Sequence, residues 1–195
     1  MTDVHTRLRT GQPGRHSRAE RGLDHYETPR IAVEALLVAE SKRLTSDVRV
    51  WEPCAGGGNI VAALRDRGFP VIASDLVECG FPLHFTADFL VLDSAPIGCT
   101  TIVTNPPYSI AGEFAERAIR LVPHVCLLLR LAFLESVRRS ELLERSGLRA
   151  VHVFRRRLPR MHRVGWNGPR ASSSVAFAWF CWSAGHTEPP IITRI

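Results

Sequence analysis

Thr104-Asn105-Pro106-Pro107-Tyr108 is the stretch whose residue types and spacing point most directly to chemistry. Consecutive prolines can continue neither a helix nor a ladder, so they fix a rigid, extended turn behind the apolar run at 101–104. Asn105 presents a side-chain carbonyl at that turn, and the Pro106 carbonyl is not used by a sheet. Two acceptors held this way can bond an exocyclic NH₂ group and localise its lone pair on nitrogen, which makes the nitrogen a nucleophile. Tyr108 offers a ring on which a flat base can stack. Positioning is then the main catalytic device, with effective molarities on the order of 10⁵ M or more in favourable cases. A Pro-Pro turn of purely structural purpose makes no demand on position 105 or 108.

A second constellation precedes it. Trp51-Glu52-Pro53-Cys54-Ala55-Gly56-Gly57-Gly58-Asn59 joins an apolar strand pattern to a helical one. Gly56 and Gly58 let the backbone take positive φ and approach a ligand closely. The following strand ends at Asp75, a carboxylate able to accept bonds from two ribose hydroxyls. The layout also fits a dinucleotide fold, but Val61 stands where that pattern has its third glycine. Glu52 at the strand end would repel a pyrophosphate and suits an ammonium group. Asp88 can accept from an adenine amino group, with Phe89 as an apolar face for the ring. Alone, Asp88 and Phe89 read as a helix N-cap and a core phenylalanine.

Together these residues resemble the class I S-adenosylmethionine-dependent methyltransferases. More narrowly they resemble the DNA adenine-N6 methyltransferases with an Asn-Pro-Pro-Tyr motif, in the compact form found in phages and prophages. The resemblance spans about residues 26–182 and includes the segment 129–136, which would place Arg130 and Glu135 on the substrate side. It implies a catalytic role for Asn105, Pro106, Pro107 and Tyr108. It also implies S-adenosyl-L-methionine contacts from Glu52, Pro53, Cys54, Ala55, Gly56, Gly58, Asp75, Asp88 and Phe89. His25-Tyr26-Glu27-Thr28-Pro29 is similar to the family's N-terminal Tyr-x-Thr-Pro segment, which adds Tyr26 and places Thr28 near the methionine carboxylate. The implied fold is α/β and Rossmann-like, a seven-stranded, mostly parallel sheet in the order 3-2-1-4-5-7-6. Its last two strands form an antiparallel hairpin.

The chain departs from restriction-associated relatives in having no room for a large target-recognition segment after Tyr108. The substitute is an arginine-rich loop, with Arg155, Arg156, Arg157, Arg160 and Arg163 to hold phosphates. Met161 is a wedge for the gap left by a flipped nucleotide, and Trp166 follows. A solvated basic loop of no special purpose is the competing reading for any one of these residues. RNA adenine is the first alternative substrate. Protein glutamine is the second, though enzymes of that kind carry an N-terminal helical domain that has no counterpart here. A non-catalytic nucleic-acid-binding module on the same fold is a third possibility, and a nicotinamide-dependent oxidoreductase leaves Pro106-Pro107-Tyr108 unexplained.

These groups must be positioned by an alternation of strands and helices, the pattern of a largely parallel sheet. Strands are expected at 48–52, 71–75, 83–87, 101–104 and 125–129, then at 150–154 and 174–182 with no helix between the last pair. Helices are expected after Pro29, after the glycine turn, over 113–122 and over 134–146, the last stopping at Gly147. The 195 residues suffice for one domain over 25–195, preceded by a flexible basic arm at 1–24. The net charge is +6 with Lys42 as the one lysine, and the sequence pI is about 9.6. That balance suggests an anionic partner without identifying one, and with no apolar run approaching the length of a membrane span, no membrane partner is expected. The five scattered cysteines form no Cys-x-x-Cys pair, which speaks against a disulfide framework and a structural zinc site, so no metal is expected. With no signal-like hydrophobic stretch near the start, a soluble cytoplasmic protein is expected.

Overall fold

The computed structural model describes residues 26–162 and 172–195. The arm at 1–24, together with Arg163 and Trp166, lies outside the described residues. One sheet of eight strands forms the centre: β1 (Val50–Glu52), β2 (Val71–Asp75), β3 (Phe85–Thr86), β4 (Thr101–Thr104), β5 (His124–Arg130), β6 (Leu148–Val153), β7 (Phe177–Ser183) and β8 (Ile191–Arg194). Their order is β3-β2-β1-β4-β5-β7-β6-β8. β7 runs antiparallel to both of its neighbours, and every other pairing is parallel. The seven expected strands stand in the expected order, and β8 adds an eighth beyond them.

β1 and β4 are buried along their whole length because helices cover both faces. On one face lie α1 (Arg30–Ala39) and α2 (Asn59–Arg65), which pack Val33, Leu36, Val61 and Leu64 against Val50, Val103 and Trp179. On the other lie α3 (Ala111–Leu121) and α4 (Ser140–Glu144), which pack Phe114, Ala118 and Leu142 against Ile102, Leu127 and Phe180. Pro29 caps α1 in an extended conformation, where its missing N–H costs nothing. Trp179 donates its indole N–H to the Ala32 carbonyl at 2.7 Å, tying α1 to β7. Among the described residues no helix is long and apolar enough to cross a membrane.

Three elements differ from the sequence reading. The third strand is cut to two residues because the His84 ring accepts the Ala73 N–H that a regular ladder would use. The single helix expected over 134–146 breaks into 3-10 turns at Leu131–Leu134 and Val137–Arg139 and the short α4. Tertiary anchoring overrides helix propensity there. Phe133 is buried edge-on against Phe180, and Arg139 stacks over Phe133 and donates to its carbonyl. β8 follows Pro189-Pro190 and pairs with the outer edge of β6. Ile191 and Ile192 are exposed, so no buried face betrays the strand in the sequence.

Under the C-terminal end of α1, Glu40, Arg149 and His152 form a buried network. Glu40 accepts from the Arg149 guanidinium, and its other oxygen lies 2.6 Å from His152 Nε2, whose Nδ1 meets the Thr193 hydroxyl. Burial pushes the Glu40 carboxyl up, but the bonds from His152 and Arg149 outweigh it and the group ends below the usual range. The thiol of Cys181 joins Glu40 and His152 within 4.8 Å. The network clamps α1, β6 and β8 together at the end of the sheet opposite the glycine turn.

Candidate active site

The order of β2, β1 and β4 reverses the direction of chain progression at β1, and the crevice outside the carboxyl ends of such strands is where open α/β sheets bind ligands. A cleft of about 830 Å³ opens there. Of the residues singled out in the sequence, Tyr26, Thr28, Pro53, Cys54, Ala55, Gly56, Asp75, Asp88, Phe89, Asn105 and Pro107 line it. Leu90, Ile110 and Phe114 add apolar wall.

The glycine turn is built as its sequence requires, with one change of role. Gly56 and Gly58 both take positive φ, at 49° and 82°. Gly58 does not line the cleft: a Cβ there would sit 2.1 Å from the Phe81 ring, so packing dictates that glycine. Asp75 closes the turn, accepting the Gly56 N–H at 2.8 Å through Oδ2 and the Leu76 N–H at 2.7 Å through Oδ1. Asp75 also lines the cleft. Asp88 caps a 3-10 turn through the Leu90 N–H, while Phe89 stacks on Phe114 with centroids 3.9 Å apart. The capping role therefore holds for Asp88, and both residues nonetheless border the cleft.

Glu52 lies beneath the turn, fully buried, and does not reach the cleft wall. Its Oε1 accepts the Cys54 N–H at 2.9 Å and the Thr104 hydroxyl, linking the ends of β1 and β4. Among the described residues Oε2 has no partner. Burial, against the opposing pull of the Thr104 and Cys54 bonds, raises this carboxyl to about 8, with the Asp75 charge adding to the rise. Burial also holds the Cys54 thiol well above its ordinary value.

Asn105 stands at the end of β4 and is oriented from a distance. Its Nδ2 donates to Thr28 Oγ1 at 3.1 Å and lies 3.5 Å from the Tyr26 carbonyl. The amide oxygen therefore faces the other way, where it accepts the Tyr108 hydroxyl at 2.9 Å. That bond uses one of two lone pairs. Pro106 is buried and lines neither this cleft nor the cavity beyond Tyr108. The sequence reading placed Thr28 at the cofactor and missed its bond to Asn105, for which a separation of 77 residues leaves no local signal.

Beyond Tyr108 lies a second cavity of about 860 Å³, bordered by Tyr26, Tyr108, Arg130, Arg160, Met161 and Phe177. Tyr26 and Tyr108 are near-parallel with centroids 6.5 Å apart. Met161 is not an exposed wedge: it is buried, with its sulfur 3.6 Å from both Asn105 Nδ2 and the Tyr108 hydroxyl, and so roofs the tetrapeptide. Of the arginines expected to meet nucleic acid, Arg160 borders this cavity, whereas Arg155, Arg156 and Arg157 are exposed beside the C-terminal strand and do not.

No family model matches the chain, and no curated protein matches it in sequence. Solved structures do match in fold. A proposed RNA methyltransferase of Pyrococcus horikoshii superposes with a TM-score of 0.61 at 18% identity, covering 83% of this chain and 88% of its own. The modification subunit of a proposed type I restriction enzyme from Vibrio vulnificus gives 0.59 at 12% identity, covering 91% of this chain and 49% of its own. A predicted O-methyltransferase of Agrobacterium tumefaciens gives 0.56 at 12% identity, covering 86% of each chain. With its strand order, its single antiparallel strand and its cleft at the ends of β1, β2 and β4, the chain has the Rossmann-like fold of the class I methyltransferases.

Proposed function

We propose that the protein transfers a methyl group from S-adenosyl-L-methionine to the N6 amino group of adenine in nucleic acid, with DNA preferred. The observation that carries this reading is the fixed orientation of Asn105. Asn105 lines the inner cleft, its Nδ2 bonded to Thr28 and near the Tyr26 carbonyl, and its oxygen is turned to the hydroxyl of Tyr108, whose ring borders the outer cavity. A planar base entering there meets an aromatic ring and an aligned acceptor at once.

The cleft fits the cofactor. Asp75 would accept the ribose hydroxyls, and Phe89 and Ile110 border space for an adenine ring, while Glu52 braces the turn from beneath. When bound, the cofactor supplies an electrophilic methyl on a sulfonium. The remaining work belongs to the chain. Asn105 Oδ1 accepts one N–H of the target amine and concentrates its lone pair on nitrogen, and Tyr108 holds the base plane. A nitrogen that accepted the methyl would release its proton to water. No strong base is required, so positioning carries the rate.

An RNA substrate is the second reading, and a structural neighbour named as a proposed RNA methyltransferase keeps it in view. The test is transfer of labelled methyl to single-stranded DNA, duplex DNA and RNA, followed by digestion and mass analysis of nucleosides. N6-methyldeoxyadenosine is the expected product. Label in RNA alone would move the substrate to RNA, and N4-methylcytosine would overturn the choice of adenine.

A further inference from the structure

Two arginines face the outer cavity and, among the described residues, make no ion pair. Arg130, the last residue of β5, lays its guanidinium over the Tyr108 ring with Cζ 4.8 Å from the centroid. Arg160 borders the same cavity, and Ser172, Ser173 and Ser174 form part of its rim. Elsewhere Arg30, Arg67, Arg117 and Arg149 each meet a carboxylate. The outer cavity thus carries two guanidinium groups and no carboxylate in its described lining.

The stack on Tyr108 shapes what Arg130 can do. A guanidinium packed by its face on an aromatic ring keeps its N–H edges free, in a fork that matches two oxygens of a phosphate. Contact with the ring restricts the side chain, so less of its entropy is lost on binding. That ring is the one assigned to the target base, which puts Arg130 beside the nucleotide that carries it.

We infer that Arg130 and Arg160 clamp the phosphate of the nucleotide whose base stacks on Tyr108, with hydroxyls of Ser172–174 bonding its remaining oxygens. This rests on the nucleic-acid reading above. It assigns the outer cavity to a nucleotide rather than a free base, and separates Arg130 and Arg160 from Arg155, Arg156 and Arg157, which lie outside it.

The test measures binding of a fluorescent single-stranded adenine-containing oligonucleotide across a salt series. The unaltered protein is compared with Arg130→Gln, Arg160→Gln and Arg120→Gln, the last on α3 and away from the cavity. Arg130→Gln and Arg160→Gln are each expected to weaken binding about ten-fold, and to reduce the slope of log affinity against log salt by roughly 0.7. Arg120→Gln should match the unaltered protein. Arg130→Lys should not recover the loss, since an ammonium cannot keep the planar stack. In competition, deoxyadenosine 5′-monophosphate should displace the oligonucleotide at least about ten-fold better than deoxyadenosine, and this advantage should vanish in the double variant. Unchanged affinity and slope in both single variants would overturn the clamp while leaving methyl transfer intact. Inorganic phosphate competing as well as the monophosphate would overturn it in favour of a free-phosphate site. If the unaltered protein neither binds nor methylates DNA or RNA, the nucleic-acid reading itself fails.

Discussion

An amide side chain can present either its oxygen or its nitrogen to a ligand, and at Asn105 the Tyr26 carbonyl, which can only accept, draws Nδ2 to the side where the Thr28 hydroxyl also accepts it. Thr28→Val removes the nearer acceptor and frees the amide to rotate, so kcat for methyl transfer should fall about ten-fold. Thr28→Ser should restore it. Asn105→Ala removes the acceptor itself and should lower kcat by about 100-fold or more; full activity in that variant would contradict the proposed chemistry. Glu52 makes a different demand. Its carboxyl lies near 8 in the folded protein against 4.5 for an ordinary glutamate, so the folded state keeps a proton that the unfolded chain releases. Its contribution to stability is fully present below about pH 4.5 and is lost as pH rises through about 8, a change on the order of 4 kcal/mol. Urea unfolding at pH 6 and pH 9 should show roughly 3 kcal/mol of that loss in the parent and a much flatter dependence in Glu52→Gln. Equal pH slopes in the two proteins would mean that Glu52 is ionised in the fold.

At the scale of elements, the same contrast between near and distant partners decides what the sequence could reveal. β1, β2, β4, β5 and β7 are legible because burial on both faces leaves short apolar runs that turn residues punctuate. The glycine turn and the tetrapeptide are legible because each is a contiguous segment whose backbone demands are written into its own residues. The bond from Asn105 to Thr28, the burial of Met161 and the gathering of Arg130 and Arg160 depend on which segments meet, and no local spacing encodes that. β8 is hidden for another reason: its ladder is backbone-made and its isoleucines face solvent. What fastens it to β6 and α1 is the network of Glu40, Arg149, His152 and Thr193, whose first two members lie 109 residues apart. Leaving Arg149 without its partner strands a buried charge, so Glu40→Gln should cost about 3–5 kcal/mol in denaturant unfolding. The Glu40 carboxyl is held below its ordinary value, so its contribution is present above pH 4.5 and is lost as pH falls through the lowered value. The variant should consequently show less acid sensitivity than the parent as well as lower stability at neutral pH.

Over the whole molecule, two apolar layers share one sheet, and that arrangement sets how it should unfold. Leu36 on α1 and Phe114 on α3 are both fully buried but on opposite faces, each against strands that run through the middle of the sheet. Neither layer has a sheet of its own, so losing one removes the wall against which the other packs. The described residues should therefore melt as one cooperative unit. Tryptophan reports on both sides at once, since Trp179 belongs to the α1 layer and Trp51 and Trp182 to the α3 layer. Fluorescence, near-ultraviolet and far-ultraviolet circular dichroism should follow a single coincident transition in urea. Leu36→Ala and Phe114→Ala should each cost about 2–5 kcal/mol and move that same transition, because each leaves a cavity in a close-packed layer. The cleft lies where the two layers meet at the ends of β1 and β4, so either substitution should also lower cofactor-induced stabilisation, although Leu36 does not line the cleft. Two resolved transitions, one shifted by Leu36→Ala and the other by Phe114→Ala, would show instead that the layers fold independently. In that case the site's geometry could not depend on both.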